Sequence, residues 1–260
     1  MSGEQLIREI GRSGVRASAV GLGTWAIGGW MWGGTDEAQS IAAIQASLDA
    51  GVTLIDTAPA YGLGRSEEIV GKAIAGRRDK AVIATKCGLV WHTQKGNHFF
   101  DQDGRPVHRH LGRESIIHEV EQSLRRLRTD YIDLYITHWQ DVTTPIEETV
   151  AALEALKRSG KIRAIGASNV DRAELEKYIA AGSLDAIQER FSMIDRKIEA
   201  DLLPLTLQND VSTLSYSSLA LGLLSGTIGP DRVFAGGDQR RDNPRFSVAN
   251  RQKATAFAEA

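Results

Sequence analysis

A single cysteine, Cys87, stands among 260 residues, so no internal disulfide can form. The opening MSGEQLIREIGRSG holds no apolar core of a secretory leader, and with the lone thiol this points to the cytoplasm. No stretch approaches the ~18 consecutive apolar residues of a membrane span. Neither sign of charge dominates: 31 Lys and Arg face 33 Asp and Glu, a net charge of −2. That balance argues against nucleic acid and against an anionic membrane surface as partner. His98, His108 and His110 lie close in the chain, but acid and cysteine partners at ligand spacing are missing, so no metal is expected. A dinucleotide-type G-x-G-x-x-G is missing as well, since Gly21-Leu22-Gly23-Thr24-Trp25-Ala26 has no third glycine in place.

What is present is an alternation. LIREIGRSGVRASAV reads as a hairpin turning at 11–14. A short buried strand follows at 19–23, then a helix after a Thr35 cap that ends at Gly51. VTLID (52–56) is a strand, and Ser66 can cap the helix after it. Strands are expected at 81–86, 131–138, 162–169, 186–192 and 211–217, with helices at 113–127, from Pro145 to Arg158, and from Asp171 to the residue before Gly182. The helical pattern at 198–209 contains Pro204, which is expected to break or kink it. Residues 89–111 read as a long irregular loop.

Apolar, β-branched strands alternating with helices mean a parallel sheet covered by helices. Polar residues end nearly every strand: Thr24, Asp56, Lys86, His138, Ser168-Asn169 and Ser217. A closed (β/α)8 TIM barrel gathers such ends on one face, whereas an open sheet uses only its switch point. The barrel is therefore the expected α/β architecture, with an N-terminal β-hairpin. Only seven strands can be counted, so 1–260 reads as one barrel domain lacking the eighth strand and the last helices.

Four of the polar groups make a chemical set. Asp56, Tyr61, Lys86 and His138 supply a carboxylate, a phenol, an amine and an imidazole, the parts needed to deliver one proton to a carbonyl oxygen. A free tyrosine has a pKa of about 10, too weak an acid for easy donation near neutrality. An adjacent Lys86 ammonium would lower it, and Asp56 would keep that ammonium charged. His138 would hold the substrate oxygen. Taken singly, Asp56 could cap a turn, Tyr61 could be packing, and His138 could be a satisfied core histidine.

The segments GVTLIDTAPAYGLGRSEEIVGKAI, ATKCG, SLRRLRTDYIDLYITHW, GKIRAIGASN and GLLSG resemble the aldo-keto reductase family. The likeness is nearest to its bacterial branch of glycerol dehydrogenases and inositol-operon reductases. The resemblance implies an enzyme, an NADP(H)-dependent oxidoreductase that reduces aldehydes or ketones or oxidises small polyols, with those four residues catalytic. It implies that Gly23, Thr24 and Trp25 cover the nicotinamide end of the cofactor and that Asp56 lies beside it. Ser168, Asn169 and Gln188 would hold the carboxamide, and Tyr216 would stack on the ring. Ser217, Leu219 and Gly222 would meet the pyrophosphate, with charge added by Arg240. Phe191, Leu221 and Thr227 depart from the family pattern. No segment for a 2′-phosphate can be picked out, so NAD(H) stays open. Trp25, Trp30 and Trp32 crowd one loop, and Trp25 and Trp32 with Tyr61 and His138 are the expected substrate wall. The alternative from another class is a cofactor-sensing subunit resembling potassium-channel β subunits. The particular substrate and the oligomeric state are not legible.

Overall fold

The computed structural model describes residues 6–259. A hairpin of β1 (Ile7–Glu9) and β2 (Arg16–Ser18) comes first, antiparallel with Ile7 opposite Ser18. There follow β3 (Gly21–Gly23), α1 (Glu37–Asp49), β4 (Leu54–Asp56), α2 (Arg65–Ala73) and β5 (Val82–Cys87). Next come β6 (Leu89–Val90), β7 (Asn97–Gln102), β8 (Arg105–Arg109), α3 (Arg113–Leu127) and β9 (Ile132–Thr137). The rest is α4 (Ile146–Arg158), β10 (Ile162–Ser168), α5 (Arg172–Ala181), β11 (Ala186–Arg190), α6 (Leu202–Gln208), β12 (Ser212–Tyr216) and α7 (Val248–Glu259).

Seven strands pair in parallel in the order β12-β11-β10-β9-β5-β4-β3, a nearly closed barrel with helices outside. Register sets the site: Asp56 lies level with Gly23 and Ala84, Lys86 with Ile136, and Ser168 with Gln188. Alternate residues of each strand divide two cores. Leu54, Ala84, Leu134, Ile136 and Ala164 point inward and pack with Ile10, Val15 and Ala17 of the hairpin, which plugs the barrel floor. Ile55, Ile83, Tyr135 and Ile165 point outward against the helices. Each such large aliphatic side chain stabilises the fold by roughly 1.5–3 kcal/mol. The hairpin also spans the sheet. Ser18 Oγ accepts from the N–H groups of Thr53 (2.9 Å) and Leu54 (3.1 Å), while the Gly11 N–H donates to Ser212 Oγ at 2.8 Å and Arg12 pairs with Asp210.

Several local expectations are corrected. Residues 89–111 are not irregular: β6, β8 and β7 form a three-stranded antiparallel flap. Its turn is Asp103-Gly104 (φ 51° and 73°) between paired Gln102 and Arg105, a two-residue hairpin whose Asp-Gly signal was in the sequence. Asp36 caps α1 rather than Thr35, its carboxylate accepting from the Gln39 N–H at 2.9 Å. Ser66 does not cap α2, which starts behind Gly64; the Ser66 side chain is buried at the Thr24 and Thr57 hydroxyls (2.7 and 3.0 Å). The helical pattern at 198–209 is interrupted as expected, a 3-10 turn at Lys197–Glu199 giving way at 200–201 to α6, with Pro204 in the first turn of α6, where its missing N–H leaves no bond unmade. β3 is not buried: its two glycines are exposed and Leu22 only half-buried.

Candidate active site

Three strand ends and one loop bring the chemistry together. Asp56 ends β4, Lys86 is next to last in β5, and His138 follows β9 directly. Tyr61 sits on a tight loop whose backbone bonds run from Tyr61 N–H to Ala58 C=O and from Ser66 N–H to Tyr61 C=O, both 3.1 Å. Gly28 backs that loop so closely that a Cβ there would lie 2.6 Å from the Tyr61 carbonyl carbon. The Lys86 ammonium, 1% exposed, donates to both Asp56 oxygens at 3.0 Å, to the Thr57 carbonyl at 2.8 Å and to the Tyr61 hydroxyl at 3.1 Å. The Tyr61 and His138 rings meet edge to face at 5.9 Å. All four residues expected to act together are thus adjacent.

Burial by itself would push Lys86 toward the neutral amine, but Asp56 and Tyr61 outweigh it and its pKa rises. The ammonium persists, as expected. For Tyr61 the sequence expectation fails in its net direction. Burial raises the phenol above its usual value of 10, Lys86 pulls it down without winning, and Asp56 adds to the rise. Tyr61 therefore holds its proton at neutrality. Burial and then the Lys86 charge hold His138 well below the ordinary histidine value, so its imidazole is neutral.

The residues assigned to the cofactor split into two groups. One forms a continuous chain with the tetrad. Gln188 Nε2 donates to Asp56 Oδ1 at 2.8 Å, and Ser168 Oγ donates to the Gln188 carbonyl at 2.6 Å. Asn169 Nδ2 donates to the His138 carbonyl at 2.9 Å, and Asn169 Oδ1 accepts from the Tyr216 hydroxyl at 2.8 Å. The bond from Gln188 to Asp56 was not foreseen and has no local signal, because the two are 132 residues apart.

The other group is loop-borne. Gly23 has open space where a side chain would be. Ser217 is left-handed (φ 54°), and Ala220, Leu221 and Gly222 are left-handed in succession (φ 50°, 59° and 93°). Leu219 is exposed. Thr24 is fully buried, its hydroxyl donating to the Asp56 carbonyl at 2.9 Å, and so braces Asp56. Arg240 is ion-paired with Asp238 at 2.6 Å and lies over the Trp32 and Phe234 rings at 4.8 and 4.9 Å.

Trp25 stacks beside Tyr61 at 6.2 Å, and Trp32 meets Trp25 edge-on at 5.4 Å. Trp30 instead stacks on Phe100 of the flap at 5.0 Å, and Phe99 leans on Trp139 at 5.2 Å. Phe99, Phe100 and Trp139 are aromatic neighbours of this loop that sequence reasoning missed, because the flap itself was missed.

Residues 19–260 match the Aldo/keto reductase family. The chain belongs to that family. This aldo-keto reductase is 48% identical over 233 residues to the NADH-specific methylglyoxal reductase of Escherichia coli, covering 87% of this chain and 71% of that one. Its fold is similar to that of a glycerol dehydrogenase from Gluconobacter oxydans: TM-score 0.85, 42% identity, 99% of this chain and 76% of that chain covered. An aldo-keto reductase of Klebsiella pneumoniae solved with NADPH gives TM-score 0.68 and 33% identity over 86% of this chain and 70% of its own. As a family member the protein is an oxidoreductase of aldehydes and ketones. Among the described residues, no cluster of three or more His, Cys, Asp or Glu could hold a metal ion, and no helix is long and apolar enough to cross a membrane.

Proposed function

We propose that this enzyme transfers a hydride between NADP(H) and a small carbonyl or polyol, with Tyr61 as the proton donor in reduction. The observation that carries the reading is the Lys86 ammonium fixed by Asp56 and pointed at the Tyr61 hydroxyl. Because Lys86 donates to the phenol oxygen, the proton of Tyr61 is left to point elsewhere, toward a substrate oxygen. Neutral His138 beside it can hold that oxygen without adding a like charge to Lys86. In oxidation the same phenol oxygen takes the proton back.

The residues present fit a nicotinamide cofactor. Asn169 and Gln188 carry amides of the kind that pair with a carboxamide, and the half-buried Tyr216 ring lies beside them. The loop is left-handed at Ser217 and again at 220–222, and it is closed by the Ala220 N–H donating to the Ser217 carbonyl at 2.7 Å and the Gly222 N–H to the Leu219 carbonyl at 2.9 Å. Ser168, Asn169, Gln188 and Tyr216 would hold the nicotinamide end, and Ser217, Leu219 and Gly222 the pyrophosphate. The bound group supplies or receives the hydride.

The NADPH complex of the Klebsiella relative supports NADP(H). The NADH-specific relative and the engagement of Arg240 by Asp238 keep NAD(H) within the reading. The names of the relatives support small substrates of the methylglyoxal and glycerol kind. They are names of enzymes, and so give no support to a channel-type regulatory subunit. The balanced charge and the buried free thiol of Cys87 support a cytoplasmic protein without nucleic-acid or membrane partners.

The test is absorbance at the nicotinamide band with NADPH and NADH against methylglyoxal, other small aldehydes and glycerol. Turnover of at least one pair is expected, and fluorescence titration should show binding of the cofactor used. Binding without turnover of any carbonyl or polyol would return the reading to a cofactor-sensing subunit.

A further inference from the structure

Glu189 follows Gln188 on β11 and is buried, 7% exposed. Its carboxylate is met by backbone. Oε1 accepts from the Val170 N–H at 2.9 Å, and the Asn169 N–H is a second donor to it. Neither N–H is taken by the start of α5, which Asp171 and Glu174 close with their own capping box. The turn so held has Asn169 left-handed at φ 56°, a conformation that asparagine takes more readily than most non-glycine residues. The outcome is that the two ends of one amide face two site elements. Nδ2 reaches the His138 carbonyl and Ser168 Oγ, and Oδ1 receives the Tyr216 hydroxyl.

We propose that Glu189 is a positioning residue, whose carboxylate locks the Asn169–Val170 turn so that Asn169 links His138 to Tyr216 and presents its amide to the nicotinamide end of the cofactor. The inference rests on the cofactor role proposed for Asn169. Burial raises the Glu189 carboxyl to about 7, with Glu174 adding to the rise and the two N–H groups and Lys197 opposing it. A buried carboxylate that has two backbone donors and a distant lysine is held for the turn it organises rather than for an ion pair.

The test compares wild type with Glu189→Ala, Glu189→Gln and Asn169→Ala, using fluorescence titration of NADPH and steady-state kinetics at saturating carbonyl. Loss of a charged acceptor should weaken cofactor binding about tenfold in Glu189→Ala. Glu189→Gln keeps an acceptor and the shape, and should recover most of that loss. KM for cofactor should rise while kcat at saturating cofactor stays near wild type; a merely structural defect would lower the active fraction and leave KM unchanged. Should Glu189→Ala fail to fold, Glu189→Asp, which keeps the charge but withdraws the carboxylate from the turn, takes its place: a raised cofactor KM supports the proposal and a wild-type KM overturns it. Wild-type affinity in the Glu189 variants, with Asn169→Ala weakened, overturns the proposal and leaves the cofactor site standing. Wild-type affinity in Asn169→Ala overturns the cofactor role of Asn169 itself.

Discussion

The Lys86 ammonium lies 3.1 Å from the Tyr61 hydroxyl and 4.8 Å from the centroid of the same ring. One cation therefore meets both the oxygen and the π system of the phenol, and Asp56 bonds it from the other side. Removing the hydroxyl alone isolates its chemistry from the packing. Tyr61→Phe should lower kcat by about 10²–10⁴, the usual worth of a positioned acid. Cofactor affinity by fluorescence should be unchanged. A variant as fast as wild type would remove Tyr61 from the mechanism.

The two directions of reaction should differ in pH. Burial raises Tyr61 above its ordinary value of 10, so the phenol is protonated throughout the neutral range. Reduction, which needs that proton, should be flat from about pH 6 to 8. Oxidation of a polyol needs the Tyr61 phenolate to accept a proton, and so should climb into the alkaline range, where the phenolate forms. Initial rates in both directions across one buffer series test this, and an oxidation rate that falls as pH rises would contradict it.

Gly28 should be intolerant of a methyl group. Its Cβ would meet the Tyr61 carbonyl carbon at 2.6 Å and oxygen at 2.7 Å, and backbone cannot swing aside as a side-chain tip can. Gly28→Ala should move the Tyr61 loop and lower kcat about 100-fold, the scale of an ångström misplacement. Thermal melting should show the barrel still folded, because the clash lies at the mouth and not in the core.

Behind the site, buried Glu119 accepts from the Gly88 N–H at 2.9 Å, and burial raises its carboxyl to about 8. Unfolded, it would titrate near the ordinary 4.5. Between those values the folded state binds the extra proton, so stability falls as pH rises from 4.5 to 8. Glu119→Gln removes this slope. At about pH 8 the variant should match or exceed wild type, by an amount on the order of 5 kcal/mol at most. Urea midpoints at acid and alkaline pH measure it; a wild type that gains stability over that range relative to Glu119→Gln would reverse the sign.

The alternation of strands and helices was legible because apolar periodicity is local, and the strand-end positions of Asp56, Lys86 and His138 came with it. The flap of β6, β7 and β8 was not legible: NHFFDQ and RPVHR mix polar and apolar residues without a clean period. Its one local signal is the Asp103-Gly104 turn, too short a cue to define the strands on either side. Buried Ser66 looked like a cap because local chemistry cannot tell a hydroxyl that ends a helix from one that braces Thr24 and Thr57.

By itself, then, the sequence determined which chemical groups stand at the strand ends and that a parallel, helix-covered sheet carries them, since both follow from residue type and short-range pattern. Only the tertiary structure decided that Gln188 bonds Asp56, that Arg240 belongs to Asp238, and that Tyr61 is made a weaker acid rather than a stronger one. Those outcomes depend on burial and on distances between groups remote in the chain. Desolvation grows with everything that packs around a group, whereas residue type names only the group itself.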